Sequence, residues 1–341
     1  MLEKPDLPDQ LILKRVKEEY GLRFDQVDFL PLGADEDTAV YRLGLLDDAG
    51  TFLKLRRGSF DEVAVLLPQF LKSQGIQAIL APLETKNGRP WGSLEPYQMI
   101  LYPFVPGKDG YEMALSEHQW VTLGETLRKI HGARAPEDLL QRLPRETYSA
   151  KWRDMVRNFR ALVETTPFPD PVAAEFASLM QAKRAEIAHM LARADQLGRA
   201  LASRPREFVI CHSDVHPGNL LIPEETGESG VVYLVDWDAP VQAPKEHDLT
   251  LIGGCFTWRD PREEALFYQG YNPAEIDPDA LAYYRYERIL EDIAVEGKQI
   301  LLSLEEGENR AQELRFFKSS FSPGHEVELA FEKDPERNVD R

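Results

Sequence analysis

From Thr38 to Leu46 and again from Thr51 to Leu55 the chain carries strand-like apolar runs. Asp47, Asp48, Ala49 and Gly50 between them favour a tight hairpin turn. Phe24 to Leu32 reads as a further strand, and Ile79 to Leu83 and Gln98 to Phe104 as two more, which together predict an antiparallel sheet. Short helices are expected at Leu7–Tyr20 and at Ser59–Ser73, the second kinked or shortened by Pro68. Pro103-Phe104-Val105-Pro106-Gly107 breaks this pattern. Beyond it the spacing turns mainly helical, over Ser116–His131, Lys151–Glu164, Pro171–Ser203 and Tyr283–Leu302. The expected architecture is α+β: a small N-terminal antiparallel-sheet lobe over residues 1–103 and a larger, mainly helical C-terminal lobe over 104–341. A hinge is placed near 101–107, and the charged stretch Glu332–Arg341 is expected to fray.

A length of 341 residues with 43% hydrophobic content supports a substantial core and two structural units, as in a bilobal enzyme of monomer size. Lys and Arg total 40 against 58 Asp and Glu, a net charge of −18. Such a chain repels a phosphate backbone, which disfavours nucleic acid as a partner. The same field either draws a cationic small molecule into an acidic cleft or marks a solvated acidic surface. No apolar run reaches the roughly 18 residues that a membrane-spanning helix needs, and the N-terminus lacks a signal-peptide core, so a cytoplasmic location without membrane partners is expected. Cys211 and Cys255 form no Cys-x-x-Cys pair, so no structural zinc is implied.

The chemistry concentrates in one segment. The apolar run Val209-Ile210-Cys211 delivers His212 and Asp214 to a polar turn, Asn219 completes an H-x-D-x-x-x-x-N spacing, and a second apolar run, Tyr233-Leu234-Val235, ends in Asp236. Phosphoryl transfer needs a carboxylate to take the hydroxyl proton, plus an amide oxygen and a second carboxylate to hold Mg²⁺. Asp214 is the candidate base, Asn219 and Asp236 are the candidate Mg²⁺ ligands, and His212 supports the loop. His216 either touches a phosphate or substrate or packs to hold the loop. Asp238, two residues beyond Asp236, either projects to the same side toward substrate or caps the following turn.

This block resembles the aminoglycoside phosphotransferase family, whose members share the protein-kinase fold and carry an H-G-D-x-H-x-x-N loop followed by an I-D-W or I-D-F strand end. Asp236-Trp237-Asp238-Ala239-Pro240, Ala243-Pro244-Lys245-Glu246, Asp248-Leu249 and Ile252-Gly253-Gly254 are most similar to its spectinomycin phosphotransferase branch, as are Lys151-Trp152-Arg153 and Tyr283–Ala294. The resemblance implies a bilobal protein-kinase-like fold and a Mg²⁺-dependent kinase that uses ATP, with GTP not excluded. Its acceptor would be an aminocyclitol hydroxyl. By the same resemblance Lys54 grips the nucleotide phosphates and Glu62 orients it, although Ser59 and Glu62 also fit a simple capping box. Gly33 and Thr38 take the place of the glycine-rich flap, with the reservation that Asp35, Glu36 and Asp37 would oppose an anion there. Tyr102 and Phe104 lie at the hinge that reads the base, and Asp248 is implied to brace the catalytic segment.

For the acceptor, Glu287 and Glu291 share a helix face with Tyr283 and Tyr284 nearby, a combination that suits an ammonium-bearing ring. The other reading is an amphipathic helix with core tyrosines and acids paired to Arg285 and Arg288. Trp258, Phe267, Tyr268 and Tyr271 either line the same cleft or simply pack. Two rival functions stay open: a metabolic kinase of choline, homoserine or a sugar, and a catalytically silent nucleotide-binding regulator.

Overall fold

The computed structural model describes residues 4–32, 37–45, 50–58, 60–224, 230–273, 275–303 and 308–338. The chain forms two compact units, residues 1–144 with 216–240 and residues 145–215 with 241–341. The expected mixed architecture is present: a small antiparallel sheet, and helices through most of the remainder.

In the first unit, strands β1 (Gln26–Leu30), β2 (Thr38–Gly44), β3 (Thr51–Arg57), β4 (Gly92–Leu94) and β5 (Tyr97–Pro103) form one antiparallel sheet in the order β1-β2-β3-β5-β4. Helix α1 (Asp9–Tyr20) buries Ile12, Val16 and Tyr20 against Tyr41, Leu53, Leu55, Met99 and Leu101. The Tyr20 hydroxyl donates to the Met99 carbonyl at 2.7 Å and accepts from the Gly92 amide at 3.0 Å, which pins the helix to the β4–β5 hairpin. Helix α2 starts at Val63, later than expected, and runs to Ser73 with Pro68 inside it.

The sheet departs from expectation at one strand. Ile79–Leu83 is not a strand; Ile79 makes an isolated bridge to Leu234, and the Leu83 amide donates to the Leu101 carbonyl. Pro82 lies inside that run and has no amide to give a ladder. The outer strand is β4, three residues long and too short for an alternation to announce it.

Past residue 103, where the lobe boundary was expected, the chain stays in the first unit through β6 (Gly107–Asp109), α3 (Glu117–His131) and α4 (Glu137–Leu140). Ser116 and Gln119 close a reciprocal capping box at the start of α3. After passing through the second unit, where β7 (Val209–Cys211) lies, the chain returns as β8 (Leu220–Pro223) and β9 (Tyr233–Leu234). These pair in the order β6-β8-β9.

In the second unit β7 pairs with β10 (Val241–Ala243). Around them lie α5 (Lys151–Thr165), α6 (Pro171–Ala182), α7 (Arg184–Ala202), α8 (Pro261–Tyr271), α9 (Pro278–Leu302), α10 (Glu308–Ser320), α11 (Glu326–Glu332) and α12 (Pro335–Asn338). The expected Pro171–Ser203 helix is thus two helices broken at Lys183. Three helices start the same way: Asp170, Asp260 and Asp277 cap α6, α8 and α9, each followed by a proline that has no amide to leave unpaired. The 25-residue α9 is the spine of this unit. It buries Tyr286, Ile289, Leu290 and Ile293 among Phe176, Met190, Leu197 and Phe317.

Candidate functional site

The functional candidates fall into two groups, one in each unit, because the chain passes from the second unit to the first between Val215 and His216.

In the second unit the loop after β7 is built on Asp248. Its carboxylate accepts from the His212 amide at 2.8 Å and from the Ser213 amide at 2.7 Å, the bracing role that the resemblance implies. Presenting both amides to one carboxylate turns the backbone sharply, and Ser213 sits at φ 75°, in the left-handed region. The family pattern has glycine at this position. His212 is fully buried, and its Nδ1 lies 3.3 Å from the Asp214 amide that donates to it, so its ring holds the loop from within.

Asp214, the candidate base, faces Arg288 of α9, whose Nη1 lies 2.6 Å from its Oδ1; Arg288 Nε lies 3.1 Å from Asp292 Oδ1. The guanidinium is held protonated above its ordinary value, first by Asp292 and then by Asp214 against the opposing effect of burial. The alternative pairing of Arg285 and Arg288 with Glu287 and Glu291 is not what forms. Arg285 is buried and donates to the Thr250 and Ile252 carbonyls, and Arg288 takes the two aspartates.

An open pocket lies beside this pair, lined by Ser213, His247, Tyr284, Glu287, Arg288 and Glu291 among others. Tyr284, Glu287, Arg288 and Glu291 follow one helical face at the i, i+3, i+4, i+7 spacing. Tyr283, expected with them, is one position off that face. It is 2% exposed and packs edge-on against Tyr148. Tyr284 therefore replaces Tyr283 among the lining residues. Burial pushes the Glu287 carboxyl up to about 7, against the opposing pull of Arg153. Burial likewise raises the Glu291 carboxyl, with Arg288 opposing. Trp258, Phe267 and Tyr271 are buried, as the packing reading holds.

In the first unit, Lys54 stands at the centre of the five-stranded sheet, opposite Val40 on β2 and Ile100 on β5. Its ammonium lies 3.1 Å from Asp236 Oδ1 and 2.8 Å from Asp238 Oδ2, and Arg56 Nη1 lies 2.6 Å from the same Asp238 oxygen. Burial pulls the Lys54 ammonium down, and the two carboxylates more than offset this, so the group stays charged. The structure thus brings Lys54, Asp236 and Asp238 together and ties Asp238 to two cations.

Glu62 is a correction. It pairs with Arg142 at 2.8 Å, on an exposed surface, and not with Lys54. It precedes α2 as its N-cap without a capping side-chain bond, so it stands just outside the helix. The partner of Lys54 comes from Asp236 and Asp238, far along the chain, where sequence proximity carries no signal.

Asp236 follows β9 at φ 63°, and the Trp237 indole beneath it donates to the Leu234 carbonyl at 3.1 Å. The Val235 amide donates to the Asn219 carbonyl at 2.9 Å, which fixes the backbones carrying the two candidate metal ligands beside each other. An aspartate and an asparagine are hard oxygen donors suited to Mg²⁺, and the Asp236 side chain is about half exposed, so this donor set fits the ion. His216 caps the 3-10 turn Pro217–Asn219, its Nδ1 accepting from the Gly218 amide at 3.0 Å, which is the loop-holding alternative.

Of the remaining nucleotide candidates, Gly33 and most of its loop lie outside the described residues. Thr38 opens β2 opposite Arg56. Tyr102 pairs with Phe52 across β5 and β3; burial and then Asp238 and Asp236 keep its hydroxyl protonated. The Phe104 ring lies 4.8 Å from the Arg42 guanidinium carbon.

A model of the phosphotransferase enzyme family matches residues 28–284. Protein StrN of Streptomyces griseus is 24% identical over 287 residues, covering 80% of this chain and 84% of that protein. The crystal structure of spectinomycin phosphotransferase APH(9)-Ia in complex with ADP and spectinomycin matches at TM-score 0.89 and 34% identity, covering 97% of this chain and 99% of the other. The AMP-bound complex of the same enzyme matches at TM-score 0.84 and 33% identity, covering 94% and 98%. An aminoglycoside phosphotransferase from Alicyclobacillus acidocaldarius shares the fold, at TM-score 0.56 and 15% identity over 99% and 96%. A family match over most of the chain, joined to a third of its residues identical across nearly the whole length of APH(9)-Ia, shows that this chain belongs to the phosphotransferase enzyme family, as a kinase of the aminoglycoside phosphotransferase type.

Proposed function

We propose that this enzyme transfers the γ-phosphoryl group of ATP to a hydroxyl of spectinomycin or a closely related aminocyclitol, in the cytoplasm. The observation that carries the reading is the 34% identity over 97% of the chain to a phosphotransferase whose structure holds ADP and spectinomycin. The acidic pocket agrees with it, since Glu287 and Glu291 offer carboxylates to a cationic ring.

In this reading Asp214 accepts the proton of the attacking hydroxyl while its oxygen bonds to the γ-phosphorus and the bond to the ADP oxygen breaks. Lys54 holds the nucleotide phosphates, with Thr38 and Tyr102 on the strands flanking it. Asn219 and Asp236 hold Mg²⁺, which when bound supplies charge neutralisation on the phosphate oxygens. The 3.1 Å contact between Lys54 and Asp236 supports this reading, since it brings a phosphate-binding cation and a metal-binding carboxylate to one place.

Purified protein incubated with Mg²⁺ and ATP or GTP tests this against spectinomycin, other aminocyclitols, choline and amino alcohols, with mass spectrometry for the gain of one phosphoryl group. Product with spectinomycin, lost in Asp214→Ala, supports the reading. Product with another acceptor alone keeps the kinase and discards this substrate. Nucleotide binding without any product points to the regulator.

A further inference from the structure

Arg153 of α5 is 3% exposed, an unusual place for a guanidinium. Five groups meet it. Its Nε lies 3.0 Å from Asp195 Oδ1 of α7, Nη1 donates to the Glu287 carboxylate and, at 3.3 Å, to the Tyr283 hydroxyl, and Nη2 donates to the Tyr148 and Ser149 carbonyls at 3.1 and 3.2 Å. Space for this arrangement is kept by Gly198 on α7, where a Cβ would stand 3.0 Å from the Tyr283 ring and 3.5 Å from Arg153 Nη1.

Only one of these contacts leads to the pocket. Glu287 lines it, whereas Arg153 and Tyr283 stand behind it. We propose that Arg153 is a positioning residue: it holds the Glu287 carboxylate at the pocket wall through a charge-paired hydrogen bond, and by that means selects a cationic acceptor. The inference rests on the reading that this pocket receives the acceptor.

The charges around Glu287 give Arg153 this weight. Glu146, before α5, and Glu291, on the same face of α9, both disfavour its ionisation, as burial does. His247 lines the same pocket, and burial lowers its pKa, so it is a neutral neighbour near pH 7. Arg288 is committed to Asp214 and Asp292. Asp195, shared between Arg153 and Arg157, holds the guanidinium from the far side. With Arg153 as the cation that offsets these effects, the Glu287 carboxyl stands at about 7; without it, the carboxyl shifts further up and is neutral at physiological pH.

The test compares wild type with Arg153→Met and Arg153→Lys between pH 6 and 9. Carbon-detected NMR titration of the Glu287 side-chain carboxyl reads the claim with no acceptor present, and calorimetric binding of spectinomycin reads its consequence. The ligand's own titration is common to all three proteins and cancels in their ratios. Expected is an upward shift of the Glu287 midpoint in Arg153→Met, with spectinomycin binding weakened by about tenfold for each unit of that shift at pH 6. The deficit closes toward alkaline pH, KM for ATP is unchanged, and Arg153→Lys restores most of the binding. An unmoved Glu287 midpoint, or binding curves that run parallel across the pH range, would overturn the inference. Wild-type protein that binds no aminocyclitol while the midpoint moves as expected would instead sink the substrate reading and leave the positioning of Glu287 standing.

Discussion

Arg288 and Asp214 form an ion pair at 2.6 Å between the long helix α9 and the loop after β7, and the same guanidinium reaches Asp292 at 3.1 Å. One cation therefore serves three acids, because Glu291 also feels it. Burial raises the Asp292 and Glu291 carboxyls, and Arg288 opposes that rise in both.

Arg288→Met removes this restraint, so both carboxyls shift further up and repel one another when ionised. The variant is expected to lose about 1 kcal/mol at neutral pH, with the deficit shrinking as falling pH protonates the acids. Thermal melts of variant and wild type at pH 5 and pH 8 check this. A deficit independent of pH would mean that Arg288 contributes packing and not charge.

Lys54 and Glu62 should separate cleanly. Lys54→Ala leaves Asp236 and Asp238 facing each other with Arg56 as the remaining cation, and is expected to weaken nucleotide binding by at least tenfold. Glu62→Ala breaks only an exposed pair with Arg142, worth at most about 1 kcal/mol, and should change nucleotide affinity less than threefold. Equilibrium titration with a fluorescent ATP analogue measures both; equal losses would restore Glu62 as the partner of Lys54.

Ser213 is a serine in a left-handed conformation, at φ 75°. That costs roughly 1 to 2 kcal/mol relative to glycine, which itself loses about 0.5 to 1 kcal/mol in extra unfolded-state freedom. Ser213→Gly should therefore stabilise the protein by up to about 1 kcal/mol, since the amide bonded to Asp248 is retained. Urea denaturation reads the change in midpoint, and a loss of stability would show that the Ser213 side chain carries more than the strain costs.

Glu296, 5% exposed on α9, has its carboxyl pushed up to about 9 from an ordinary 4.5, by burial first and then by Asp292 and Glu313. Unfolding between those two values releases a proton, so the native state loses stability as pH rises from about 4.5 to about 9. Glu296→Gln carries no such proton. Its stability relative to wild type should climb across that window, by no more than about 1.4 kcal/mol per pH unit, and level off above it. A flat difference in melts from pH 5 to 9 would contradict a neutral Glu296.

Local chemistry sufficed for what depends on neighbours in the chain. The spacing from His212 to Asn219, the strand end at Asp236 and the start of α6 at Pro171 could all be read from the residues, because a cap, a turn or a loop motif is satisfied within a few positions. β4 could not, since three residues carry too little periodicity, and the better-patterned Ile79–Leu83 contains a proline that bars a ladder. Charge partners were decided by tertiary structure alone: Asp236 and Asp238 for Lys54, Asp214 for Arg288, Glu287 for Arg153. An isolated charged side chain is compatible with many sequence partners, and only the folded backbone selects the one within reach. Likewise the residues of α9 named its chemistry, but the packing of the helix decided that of the two buried tyrosines Tyr284 and not Tyr283 lines the pocket.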